Sequence, residues 1–171
     1  MRTAKVVVMP HDATWKNEFE KIKTEIEDAL GDLAMGIEHV GSTAVEGLVA
    51  KPCIDIDVVI RDASELGAAV AALSRIGYVH EGDLGIKGRE VFDYADKPHL
   101  MKHHLYVCAE GSAELLRHIT FRDFLRENPG EAEEYGRIKQ EAARLFPDDV
   151  ERYIAYKSPC IERIYKTCGL K

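Results

Sequence analysis

Cys53-Ile54-Asp55-Ile56-Asp57-Val58-Val59-Ile60 decides the fold: it is short, rich in β-branched residues, and bounded by Pro52 and the polar Arg61-Asp62. It reads as a strand. Side chains alternate along a strand, so Asp55 and Asp57 project from one side while the isoleucines and valines between and around them bury the other. Two neighbouring carboxylates repel each other unless a cation sits between them. Mg²⁺ or Mn²⁺, which prefers carboxylate oxygen, would supply that cation. Upstream, Ala34 to Val40 is a second strand candidate, and Glu38-His39-Val40-Gly41-Ser42-Thr43 carries it into a glycine turn that opens a short helix. Backbone N–H groups at such a turn hold phosphate, glycine lets the phosphate come close, and Ser42 and Thr43 add hydroxyl donors. Residues 43 to 54 have the length of one helical crossover between neighbouring strands. A phosphate cradle would then face a pair of metal carboxylates, the layout that metal-assisted phosphoryl or nucleotidyl transfer requires.

Outward from this centre, Trp15, Phe19, Ile22, Ile26 and Leu30 fall at helical spacing, which predicts a helix over about Thr14 to Leu30 closed by Gly31. Thr3 to Met9 reads as a short strand or extended arm. Ala63 to Ile76 is a helix that ends at Gly77. Tyr78 to His80, Val91 to Tyr94 and His103 to Cys108 are further strands, with the glycine-rich Gly82 to Gly88 after the first. From about residue 112 the pattern is helical. Ser112 begins a helix whose apolar face is Leu115, Leu116, Ile119, Phe124 and Leu125, stopped by Asn128-Pro129. Ala132, Tyr135, Ile138, Ala142 and Leu145 mark the next, broken at Phe146-Pro147. Asp148 or Asp149 caps the last, with Val150, Tyr153, Ile154, Ile161, Ile164 and Tyr165 inward and Pro159 expected to kink or divide it. These patterns predict one domain over 1–171, with a sheet-containing core over 1–110 and a helical part over 111–171.

The 171 residues carry a net charge of −7, which repels phosphate backbones and argues against nucleic acid as the main partner. No stretch has the roughly 20 apolar residues needed to span a bilayer, and the N-terminal run lacks the form of a secretory signal. Cys53, Cys108, Cys160 and Cys168 show neither a CxxC pair nor zinc spacing and read as reduced thiols, so the expected location is cytoplasmic. Lys51, just before the carboxylate strand, and Arg89, just after the glycine-rich turn, are candidates to bind a triphosphate. Lys139 and Lys157 on the C-terminal helices could close over the same cleft. His104 and Tyr106 share one face of their strand, and His103 and Leu105 share the other, so one histidine reaches the site; His104 is favoured.

Glu38-His39-Val40-Gly41-Ser42-Thr43-Ala44-Val45, Gly47-Leu48, Ala50-Lys51-Pro52 and Ile54-Asp55-Ile56 together resemble the signature of the GrpB family, within the nucleotidyltransferase superfamily. Pro10-His11-Asp12 with Trp15 and Phe19, Gly85 to Arg89, His103 to Val107, and Phe121-Arg122-Asp123-Phe124-Leu125-Arg126 extend the resemblance over nearly the whole chain. It implies an α+β fold, a nucleotidyltransferase-like mixed β-sheet flanked by helices, with the C-terminal helices packed on it. It further implies Gly41-Ser42 as the phosphate-side motif and Asp55 and Asp57 as metal carboxylates. Some members are fused behind dephospho-CoA kinase. The family often has proline where this chain has Glu46. Superfamily enzymes also place a third carboxylate on a later strand, whereas no Asp or Glu occurs here between Lys97 and Ala109. Either His104 joins Asp55 and Asp57 as a metal ligand, or the base that activates an attacking hydroxyl is lost.

Three functions follow. The first is metal-dependent transfer of a nucleoside monophosphate from a nucleoside triphosphate to a small acceptor: Gly41, Ser42, Thr43, Lys51, Arg89, Lys139 and Lys157 hold phosphate, and Asp55 and Asp57 do the catalytic work with Mg²⁺ or Mn²⁺. The second is a non-catalytic nucleotide-binding or interaction module with a degenerate site. The third is a hydrolase or phosphotransferase with His104 and the aspartates around a transition metal.

Overall fold

In a computed structural model that describes residues 5–170, five strands form one sheet. They are β1 (Gly36–Val40), β2 (Ile54–Ile60), β3 (Tyr78–Gly82), β4 (Arg89–Tyr94) and β5 (His103–Ala109), in the spatial order β1-β2-β5-β4-β3. The β2–β5 pair is parallel and the other three pairs are antiparallel, so the sheet is mixed. Two helices, α1 (Trp15–Leu30) and α2 (Leu66–Ser74), cover one face of it. Their Trp15, Phe19, Ile22, Ile26 and Leu73 bury against Ile54, Ile56, Val58 and Leu105, each large apolar side chain contributing about 1.5–3 kcal/mol on burial. Gly31 closes α1 as its sequence predicts, its N–H donating to the Glu27 carbonyl.

The opposite face carries the aspartates and is partly covered by α3 (Ala113–Glu127), whose Leu115 packs on Val59 and Cys108. Beside it stand α4 (Pro129–Leu145) and α5 (Val150–Thr167). Asp149 caps α5, its Oδ1 accepting the Arg152 N–H at 3.1 Å. The Ser112 hydroxyl, by contrast, caps nothing and is buried without a partner. Pro159 lies inside an unbroken α5. Leu116 and Ile154, assigned to apolar faces by spacing, are about half exposed.

The connection from β1 to β2 differs from expectation. It is no helical crossover, because β1 and β2 are antiparallel neighbours, and only parallel neighbours need one. A single 3₁₀ turn at Ser42–Ala44 leads into an extended passage. Val45 and Leu48 of that passage bury among Phe121, Leu125, Tyr135 and Ile164, so the connector is the wedge on which the C-terminal helices assemble. Gly136 lets α4 come close: a Cβ there would meet Leu48 and Val49 side-chain carbons at 3.4 Å each. Of the N-terminal segment read as strand or arm, Met9 makes an isolated bridge to Ala50 and the Val6 N–H donates to the Pro147 carbonyl at 2.8 Å. Thr3 and Ala4 lie outside the described residues.

Candidate active site

Strand register sets the site in rows. Val40, Asp55 and His104 stand side by side across β1, β2 and β5, and Glu38, Asp57 and Tyr106 form the next row. Gly41 follows directly, with φ +74 and ψ −174, a conformation that a side chain would oppose. A Cβ there would also lie 3.2 Å from the Asp55 Cβ and closer still to its carboxylate. Glycine therefore lets Asp55 lean over the turn.

The turn and Asp55 border a narrow cleft of about 80 Å³. Ser42, Thr43, Lys51, Cys53, His104, Lys139, Tyr153 and Lys157 complete its wall. The Lys51 and Lys157 ammonium groups lie 5.3 and 4.8 Å from the centre of the Tyr153 ring. Lys139 is buried, donating to the Val49 carbonyl at 2.7 Å. Burial and then the nearby Lys157 push Lys139 well below its ordinary value; burial and then Lys51 bring Lys157 down to about 8. The Tyr153 hydroxyl is buried with no hydrogen-bond partner. Three crowded amines and an unpartnered hydroxyl thus share one narrow space.

His104 Nδ1 lies 3.0 Å from Asp55 Oδ1, and that bond, with help from Cys53, raises the imidazole to about 10. His103 points to the other face, between the Tyr78 phenol and the Met101 carbonyl. Thr43 lines the cleft but commits its hydroxyl to His39 Nε2 at 2.9 Å. Burial holds His39 down at about 4. Arg89 stands outside the cleft wall, its guanidinium 4.7 Å from the Tyr106 ring centre.

Asp57 is the surprise. It shares a face with Asp55 but is fully buried under α3, where His118 Nδ1 meets its Oδ2 at 2.6 Å. Burial pushes the Asp57 carboxyl up against that bond; burial pulls His118 down, but the bond outweighs it and carries His118 above its ordinary value. Further along α3, Arg122 donates to Glu38 Oε2 at 2.8 Å and to the His39 carbonyl at 3.1 Å. Arg126 forks onto the Ala44 carbonyl at 2.9 and 2.7 Å. Sequence reasoning missed this row. Glu114, His118, Arg122 and Arg126 recur every fourth residue, and that spacing alone shows they share one face of α3. The row grips β1, Asp57 and the Gly41–Ala44 turn.

The donors suit a divalent cation on one chemical ground. Asp57 Oδ1 is buried with no hydrogen-bond partner, and Asp55 stands on the same face. Among the described residues no group of three His, Cys, Asp or Glu is close enough to hold a metal, so His104 is placed as the partner of Asp55. Mg²⁺ commonly binds through one or two carboxylates plus substrate phosphates, and this pair meets that minimum.

The architecture is an α+β fold, a mixed five-stranded sheet flanked by helices. The model of the GrpB family, described as GrpB protein, matches residues 5–167, and the chain belongs to that family. It is 33% identical to the Glutamate-rich protein GrpB of Alkalihalophilus pseudofirmus over 162 residues, 93% of either chain. It is 30% identical to UPF0157 protein YqkA of Bacillus subtilis and spans 92% of its own length but only 46% of that relative. A dephospho-CoA kinase of Mycobacterium bovis is 26% identical over 89% of this chain and 43% of its own. The crystal structure of conserved protein GrpB from Enterococcus faecalis superposes with a TM-score of 0.83 at 32% identity, covering 95% of this chain and 96% of that one. Cid1 in complex with its short product ApU shares the fold with a TM-score of 0.56 at 10% identity, over 80% of this chain and 43% of that one. No helix among the described residues is long and apolar enough to cross a membrane.

Proposed function

We propose that this chain binds a nucleoside triphosphate in the Gly41–Asp55 cleft and, with Mg²⁺ or Mn²⁺, transfers its nucleoside monophosphate to a small acceptor. One observation carries the reading: Lys51, Lys139, Lys157 and the idle Tyr153 hydroxyl converge on a space bordered by the Gly41 turn and Asp55. The lysines hold the pyrophosphate end, and Ser42 fixes the chain of phosphates beside Asp55. Asp55 and Asp57 would hold the cation, which neutralises phosphate charge. His104 orients Asp55, and Arg122 and Arg126 keep the turn in place. Four unpaired thiols, two of them buried, fit a reducing cytoplasm.

A non-catalytic nucleotide-binding module is the second reading, favoured by His104 and Tyr106 standing on β5 beside the two aspartates, where a third carboxylate would be expected. Nothing supports a transition-metal hydrolase, since no three-ligand group forms among the described residues.

Thermal denaturation with nucleotide tests the proposal. ATP with Mg²⁺ is expected to raise the melting temperature by mass action, and Asp55→Asn to remove the Mg²⁺-dependent part of the rise. An equal rise in the variant, or none in the unaltered protein with any nucleotide, refutes the metal role or the nucleotide site respectively. Pyrophosphate release with any acceptor separates transferase from module.

A further inference from the structure

Tyr153 and Lys157 stand about one turn apart on α5, and two amines crowd the Tyr153 ring, with the Lys157 nitrogen 4.8 Å and the Lys51 nitrogen 5.3 Å from its centre. Lys139 reaches the same wall from α4 but is committed, donating to the Val49 carbonyl at 2.7 Å. Lys157 is half-buried and has neither a hydrogen bond nor an ion pair among the described residues. One cleft thus holds cations that attract an anion and an amine with its nitrogen free. We propose that Lys157 is a modification site, acylated by a small acyl phosphate that the cleft itself binds. The inference needs the cleft to hold phosphate, and it needs neither a nucleotide nor a divalent cation there.

An amine attacks only through a free lone pair, and an ordinary lysine, near 10.4, is only about 0.4% neutral at pH 8. Burial first and then Lys51 bring Lys157 down to about 8, against the opposing pull of Asp55, so about half of it is neutral at that pH. A lysine desolvated beside another cation is a common form of activated amine nucleophile. The class of electrophile follows from the charges around it. In an acyl phosphate the carbonyl carbon is bonded directly to a phosphate oxygen, so phosphate seated beside Lys51 and Lys139 brings that carbon to Lys157. An acyl thioester carries its charge far from its carbonyl, and the narrow cleft of about 80 Å³ favours the smaller anion. The Tyr153 hydroxyl, fully buried without a partner, gains an acceptor when phosphate enters.

The Lys157 nitrogen bonds to the carbonyl carbon as the bond from that carbon to the phosphate oxygen breaks. Phosphate leaves with the electron pair and takes up the amine proton, and an amide remains on Lys157. Acylation removes one of the three positive charges of the cleft. Modification and anion binding therefore oppose each other: a bound anion covers the amine and favours its charged form, and an acylated amine weakens the hold on the anion.

Incubation with acetyl phosphate followed by peptide mass spectrometry tests this, with the exposed Lys16, Lys87 and Lys166 as internal references and the neutral ester p-nitrophenyl acetate as a second reagent. At pH 8 acetyl phosphate is expected to acetylate Lys157 at least about tenfold faster than any reference lysine. Inorganic phosphate should suppress the reaction at Lys157 and leave the references unchanged, and the neutral ester should show a smaller preference. Lys157 modified no faster than the references overturns the site. So does an equal preference with the neutral ester, or a lack of protection by phosphate, since either removes the phosphate seat from the reaction. Protection by phosphate but not by ATP with Mg²⁺ upholds the modification site and overturns the nucleotide reading alone.

Discussion

Gly41→Ala is expected to abolish the nucleotide-induced rise in melting temperature while leaving the circular dichroism spectrum unchanged. Two independent costs fall on one methyl group. The backbone at φ +74 and ψ −174 is a glycine conformation, and forcing a side-chain residue into it costs about 1–3 kcal/mol. The new Cβ also strikes the Asp55 carboxylate, which packs against the turn without space to spare. Neither strain reaches the α1–β2 core, so folding survives at reduced stability. Relief requires the turn and Asp55 to part, which separates the phosphate donors from the carboxylate. Calorimetric titration with ATP and Mg²⁺ should show affinity reduced by about 100-fold or more, since each 1.4 kcal/mol is a factor of ten. Unchanged affinity would mean that the close approach of Gly41 to Asp55 has no bearing on binding.

The second large effect is on pH. Lys157 sits at about 8 because burial and Lys51 disfavour its charge, and Lys139 lies well below its ordinary value because of burial and Lys157. A polyphosphate among them reverses the balance and raises both values in the complex. The sign follows from linkage: the complex binds more protons than the free protein, so affinity declines as pH rises. Below about pH 8 Lys157 is already charged, and its contribution is fully present. Above 8 each binding event must first capture a proton, and affinity should fall up to about tenfold per pH unit until the value in the complex is reached. Titration of the ATP analogue between pH 7 and 9.5, in buffers of different ionisation enthalpy, should also register proton uptake. Flat affinity across that range, with no proton exchange, would contradict an anion seat among these lysines.

Much of the fold was readable residue by residue. The alternation of Asp55 and Asp57 with isoleucine and valine has no helical reading, and the spacing of Trp15, Phe19, Ile22 and Ile26 has no strand reading. Glycine beside a strand end marked the turn. The direction of strand pairing was not readable: residues 43 to 54 could serve as a helical crossover or an extended return, and only the antiparallel register of β1 and β2 selects the latter. The site divides in the same way. Residues near Asp55 in the chain, such as Ser42 and Lys51, follow from local pattern, whereas Lys139 and Lys157 reach the cleft only because Val45 and Leu48 seat α4 and α5. Asp57 was legible as a carboxylate on the Asp55 face, yet nothing local shows that α3 buries it. The row from Glu114 to Arg126 was hidden because charge at helical spacing marks a solvated face far more often than a clamp.

In the proposed function, Asp55, the Gly41 turn and the three lysines form one seat for a triphosphate and its cation. A crystal structure with a non-hydrolysable nucleoside triphosphate and Mn²⁺ tests it most directly, because anomalous scattering locates manganese independently of the phosphates. A manganese peak bonded to Asp55 and to phosphate oxygen is expected, with the terminal phosphates among Lys51, Lys139 and Lys157 and within reach of the Tyr153 hydroxyl. Manganese away from Asp55, or phosphates seated outside the lysine cleft, would contradict it.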